Sequence, residues 1–225
     1  MKQYLILISL LLALLSDFFS LNGPEPSLQA QSMGLGSDHL SKIEREIVKQ
    51  INLARMEPHT FIKEIEKLRP HYKGKILEIP GEYSVQTIEG AAALNEAILH
   101  LKKSRRTFIL TVSKGLEKSA RDHVQDQVNN PNMSHDGTDG STPFTRISRY
   151  GKIKGDYGEN IGYGALTARG MVALFILSDG QPDRILRKNL FNRKYKKMGI
   201  ACGEHKHYKY YCVVDFASRY AEKLM

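Results

Sequence analysis

Apolar residues recur every three or four positions at Leu40, Ile43, Ile47, Ile51 and Ala54, which predicts an amphipathic helix capped by Ser37 or Asp38. Pro58 interrupts the pattern. Phe61, Ile62, Ile65 and Leu68 then begin a second helical piece that ends before Pro70. Residues 75–79 read as a short strand or extended connection. Residues 89–101 are alanine-rich and helical, with Leu94, Ala97, Ile98 and Leu101 on one face. Ser113 caps a helix to about Val128, whose buried stripe is Leu116, Ala120, Val124 and Val128. His123 lies beside that stripe, where a histidine is read as a hydrogen-bonded core or boundary residue.

Residues 141–150 read as a short helix with Phe144 and Ile147 as its apolar face, and residues 157–163 as extended. Thr167 caps a helix holding the continuous apolar run 171–177. That run is too short to span a membrane and belongs to a buried core helix. Pro182 opens another helical turn toward Asn189. Residues 197–203 and 208–217 are the best strands, joined as an antiparallel hairpin. Helices before and after a small antiparallel sheet predict an α+β fold.

The ends change the picture. Lys2, the apolar run 5–15 and Ala30 have the form of an export signal over residues 1–30. No cysteine lies near its end, which argues against a lipid-anchored form. Residues 31–38 form a loose leader, and residues 39–220 are long enough for one domain with one substantial core. The whole chain has 33 basic and 24 acidic residues, a formal net charge of +9. Removing the signal takes away Lys2, Asp17 and Glu25 and leaves about +10. Cys202 and Cys212 each fall in a strand-like segment of an exported chain, so a disulfide across adjacent strands is expected. Its loop is short, and it is worth about 2–3 kcal/mol.

Candidate chemistry gathers in residues 133–164. His135 and Glu159 sit in glycine-rich segments that expose the side chains they carry. Read on composition alone, this is a turn-rich connection with one exposed His and one exposed Glu. Order adds more: Ser134-His135, Asp139-Gly140-Ser141, Arg146-Ile147 and Gly158-Glu159-Asn160-Ile161 follow one another. Asp179-Gly180, Arg187-Lys188-Asn189, the segment 199–203 and the segment 212–217 come after them. This succession, over roughly residues 45–217, resembles the CAP superfamily of cysteine-rich secretory proteins, antigen 5 and pathogenesis-related group-one proteins, and its bacterial SCP-domain branch in particular. Asn52 and Arg55 match that family's first helix, where a polar edge is the expected role.

The resemblance implies a three-layer α-β-α sandwich with a cleft that commonly gathers two histidines and two acids. Carried over, these are His135, Glu159 and, loosely, Asp179. The second histidine position is occupied by Leu186, and Ile185 stands where the family has glycine. Leucine donates no lone pair, so the resemblance implies at most a weakly bound divalent metal such as zinc on His135, and no required cofactor. His205 or His207 replaces the missing ligand only if the hairpin end reaches the cleft. Ser134 and His135 are neighbours, a poor nucleophile–base geometry, and residues 136–140 lack the spacing of a calcium loop.

Two function classes follow. One is a secreted, non-catalytic binding module for a lipid, small-molecule or protein ligand. The other is a metal-assisted hydrolase or protease using the same cleft, since a His–Glu pair can transfer protons. The incomplete ligand set favours the first. Lys102, Lys103, Arg105 and Arg106 read as a solvated helix end, and no nucleic-acid module is present. Arg184, Arg187, Lys188, Arg193, Lys194, Lys196 and Lys197 form a basic run that predicts adhesion to an anionic polymer or membrane surface.

Overall fold

A computed structural model describes residues 39–78, 84–130, 134–165 and 167–223. The expected signal, leader and first cap lie outside them. Helix α1 (Lys42–Met56) starts instead at Ser41, whose side chain accepts from the Glu44 amide while Glu44 reaches back to the Ser41 amide. Helix α2 (Thr60–Glu66) follows the Pro58 break. Three two-residue strands, β1 (Tyr72–Lys73), β2 (Ile76–Leu77) and β3 (Val85–Gln86), make a small antiparallel sheet. Then come α3 (Ala91–Lys103), β4 (Thr111–Val112), α4 (Lys114–Gln127) and α5 (Pro143–Tyr150). Strands β5 (Gly151–Ile153) and β6 (Tyr157–Tyr163) lead to α6 (Ala168–Leu177) and α7 (Ile185–Phe191). The hairpin β7 (Lys197–His205) and β8 (Lys209–Ala217) precedes β9 (Tyr220–Glu222).

The central sheet runs β4-β7-β8-β6, with β4 parallel to β7 and the other pairs antiparallel. Side chains alternate across a strand, and β8 uses both faces. Cys212, Val214 and Phe216 enter the large core with residues of α1, α3 and α6. Tyr211, Val213 and Ala217 face the other way, onto Ala120, Val124 and Leu116 of α4 and Ile147 of α5. Helices therefore cover both faces, which is the three-layer α-β-α sandwich. At Gly199 an added Cβ would lie 2.1 Å from the Glu117 amide nitrogen, so α4 presses on β7 at a distance only glycine permits. Cys202 and Cys212 face each other in the β7–β8 register and are joined by a disulfide.

Two sequence expectations are corrected here. Phe144 is 48% exposed, and the buried face of α5 is made by Arg146 and Ile147 instead. Asn52 and Arg55 are not an edge. The Asn52 amide accepts from Leu110 N at 2.8 Å and donates to Leu110 O at 3.0 Å. Arg55 is fully buried and donates to the carbonyls of Phe108 (2.8 Å), Leu190 (2.6 Å), Asn192 (3.1 Å) and Tyr195 (3.4 Å). One guanidinium thus ties α1 to the segment before β4, to the end of α7 and to the start of β7. Burial pulls it down to about 10, still charged at neutral pH.

Arg55→Met keeps the aliphatic volume and leaves these carbonyls without their donor. Unpaired buried carbonyls cost about 1–3 kcal/mol each, so denaturant unfolding should show a loss of at least about 3 kcal/mol. A loss below about 1 kcal/mol would mean that water replaces the guanidinium at no cost.

Candidate functional site

Residues 134–142 lead into α5 and are held from both sides. Nε2 of His123, on α4, donates to Ser134 O at 2.8 Å. Asp126, one turn on, accepts from the Thr138 amide at 2.9 Å and from the Thr138 hydroxyl. From α5, Arg146 donates to His135 O and Ser141 O, both at 2.9 Å. His135 is carried on this loop with its side chain 49% exposed.

Beneath it lies Glu159, on β6, with both oxygens engaged. Oε1 accepts from His135 Nδ1 at 2.7 Å, and Oε2 accepts from Arg146 Nη2 at 2.7 Å. The Glu159 and Arg146 side chains are 1% and 2% exposed. Burial pushes the Glu159 carboxyl up, but the His135 hydrogen bond and the Arg146 charge outweigh it, and the net direction is down. Glu159 is therefore an anion. An imidazole donating Nδ1–H to it presents the Nε2 lone pair outward when neutral. Chemically, that makes His135 a fixed hydrogen-bond acceptor, a base or a single metal ligand.

A further acid lies behind this pair. Asp215 of β8 is directly opposite Glu159 of β6 in the strand register and is fully buried. Burial first, and the Glu159 charge second, push its carboxyl well above the ordinary range, so its charged form is disfavoured. Ser119 and His123 of α4, Tyr211 of β8 and Arg146 complete a buried polar cluster on this face. The Ser119 hydroxyl, His123 Nδ1, Arg146 Nε, the Tyr211 hydroxyl and both Asp215 oxygens have no hydrogen-bond partner among the described residues. Asp215 was invisible as a site residue in the sequence, because a lone acid in a strand-like run carries no spacing signal. The clue was an acid between Val214 and Phe216 of a strand buried on both faces.

The other expected site residues are placed elsewhere. Asp179 caps the chain entering α3, accepting from the amides of Ile88 (2.7 Å) and Glu89 (2.9 Å), and has no bond to His135 or Glu159. Leu186, on α7, packs against the main core, and its carbonyl accepts from Asn160 at 2.8 Å. His205 is buried, not exposed. Its Nδ1 accepts from the His207 and Tyr208 amides, and its Nε2 donates to Asn130 O at 3.1 Å. Neither nitrogen is left for a metal. Among the described residues, no three His, Cys, Asp or Glu side chains are grouped to hold a metal ion.

The two acids give stability opposite pH slopes. Glu159, depressed by folding, adds stability above the ordinary carboxylate pKa, and this is lost as pH falls through its folded value. Asp215, raised by folding, favours the native state most below its unfolded pKa, about 3.9. That contribution is lost as pH rises toward its raised folded value. Asp215→Asn should therefore flatten the fall in stability above about pH 4. Chemical denaturation across pH checks it, and an unchanged slope would show that Asp215 is ionised in the native state.

The cysteine-rich secretory protein family (CAP) model matches residues 66–216. No curated protein matches the chain. An outer surface protein from Borrelia burgdorferi is similar in structure, with 22% identity and a TM-score of 0.43 over 57% of this chain and 90% of that one. An extracellular SCP-domain protein from Bacillus anthracis str. Ames gives 23% identity and a TM-score of 0.36 over 50% of this chain and 35% of that one. With its family model spanning most of the sequence and the α-β-α layers in place, this chain belongs to the cysteine-rich secretory protein (CAP) family.

Proposed function

We propose that this chain is an exported CAP-domain binding module whose cleft at His135 recognises a ligand without catalysing its turnover. The observation that carries this reading is the commitment of Glu159. With one oxygen on His135 and the other on Arg146, the carboxylate orients the imidazole and has no oxygen left to activate water or complete a metal site. Ser134, the neighbouring hydroxyl, accepts from the Asp136 amide at 3.0 Å, and no general base among the described residues is paired to it. The cleft rim supplies apolar contact. Tyr157 lies two residues before Glu159 on the same face of β6, and its ring centroid is 5.6 Å from that of Phe144, both rings being exposed. A lipid, small molecule or protein segment that offers a hydrogen-bond donor to His135 Nε2 and an apolar flank to these rings fits such a rim.

The hydrolase reading keeps one point in its favour. A carboxylate that holds an imidazole by Nδ1 is the usual second partner of a metal-bound histidine. Calorimetric titration with zinc separates the two. The wild type should bind zinc weakly, at best through His135. Tight, stoichiometric binding that is lost in His135→Ala would overturn the binding-module reading, as would turnover of a peptide library abolished by the same substitution. Native mass spectrometry of protein from its own source should show a co-purifying ligand that His135→Ala loses.

A further inference from the structure

The basic run 184–197 does not form one face. Arg184 is paired with Glu89 and Glu96, and buried Arg187 with Glu96 and Ile176 O. The cations left over converge at another place, the end of the central sheet where β7 starts and β8 finishes. A hollow of about 420 Å³ there is lined by Gly155, Asp156, Lys194, Lys196, Ser218 and Arg219. Its single acid, Asp156, is matched by Lys194 at 2.9 Å. Lys196 and Arg219 have no acidic partner among the described residues. Lys196 Nζ lies 3.4 Å from Arg193 O and 4.0 Å from the centroid of Phe108. Arg219 Nε donates to Lys154 O at 3.1 Å, which brings two further exposed cations, Arg193 and Lys154, to the rim.

We propose that this hollow is a docking site for a sulfated polysaccharide. Three segments of chain, remote in sequence, each bring cations to one open hollow with one neutralised acid between them, so the local field is positive. Most of these cations are lysines, point charges suited to sulfate esters in variable orientations rather than to one planar, bidentate partner. Phe108, the 62% exposed ring beside it, has the Lys196 ammonium over its face, so it offers neither a free wedge for lipid nor a free platform for a nucleic-acid base. The hollow shares no residue with the His135 site and does not depend on the function proposed for it.

The test is calorimetric binding of a heparin octasaccharide to the chain at low and physiological salt, beside unsulfated hyaluronan, phosphatidylserine-containing vesicles and duplex DNA. Heparin binding should weaken as salt rises and exceed binding to the other three. Lys196→Ala/Arg219→Ala should lower affinity on the order of tenfold and reduce the salt slope by about two. Lys42→Ala/Lys63→Ala, the same charge change on α1 and α2, should leave it nearly unchanged. Lys196→Gln/Arg219→Gln, which keeps part of the aliphatic stem and a polar end without charge, should repeat the loss if the alanine pair melts early. Equal losses in the two alanine pairs would reduce the effect to net charge. Absent heparin binding, or tighter capture of vesicles or DNA through Lys196 and Arg219, would also overturn the assignment.

Discussion

A carboxylate buried inside a sheet costs several kcal/mol unless its charge is met on the spot, and Glu159 is such a carboxylate. The layer around it is built to meet that charge. Arg146 must come from α5 with its guanidinium as buried as the acid, and the same guanidinium then fixes the carbonyls of His135 and Ser141. The loop bearing His135 therefore has its shape set by the cation that neutralises Glu159. Position and charge are solved together, and the exposed imidazole inherits a fixed orientation from two buried neighbours.

Asp215 shows the cost of the same arrangement. Two carboxyl groups face each other across β6 and β8 with one arginine between them and the surrounding helix, and one arginine supports one anion. Glu159 has the arginine and the histidine, so it is Asp215 whose charged form is disfavoured. The division follows from geometry: Glu159 sits on the edge strand where α5 and the loop can reach it, and Asp215 on the strand one place further in.

Much of the fold was legible because its elements are periodic. The stripes at Ile47-Ile51 and Leu116-Ala120-Val124 end inside helices, and residues 157–163 form a strand over those same positions. What was not legible depends on long-range partners. Strands β4, β5 and β9 are two or three residues long and exist only by pairing with a distant segment. Arg55 reads locally as a polar helix residue, and only the return of α7 and the β7 start around it makes it an internal pin. Asp179 shows the reverse case, a short-range motif match whose side chain is spent on two amides far away in the chain.

The same physics orders His135 and Glu159 through protein groups. Here Arg146 supplies the positive charge permanently, through a bond that needs no ion. Leu186 packs against the core, and Asn189 from the same helix spends its amide on Glu159 O and Asn160 Oδ1, holding β6 from the outer side. The constellation is ordered by protein groups: β6 is gripped by α7 and the loop by α4 and α5, and among its described residues the side chain left to solvent is the imidazole of His135.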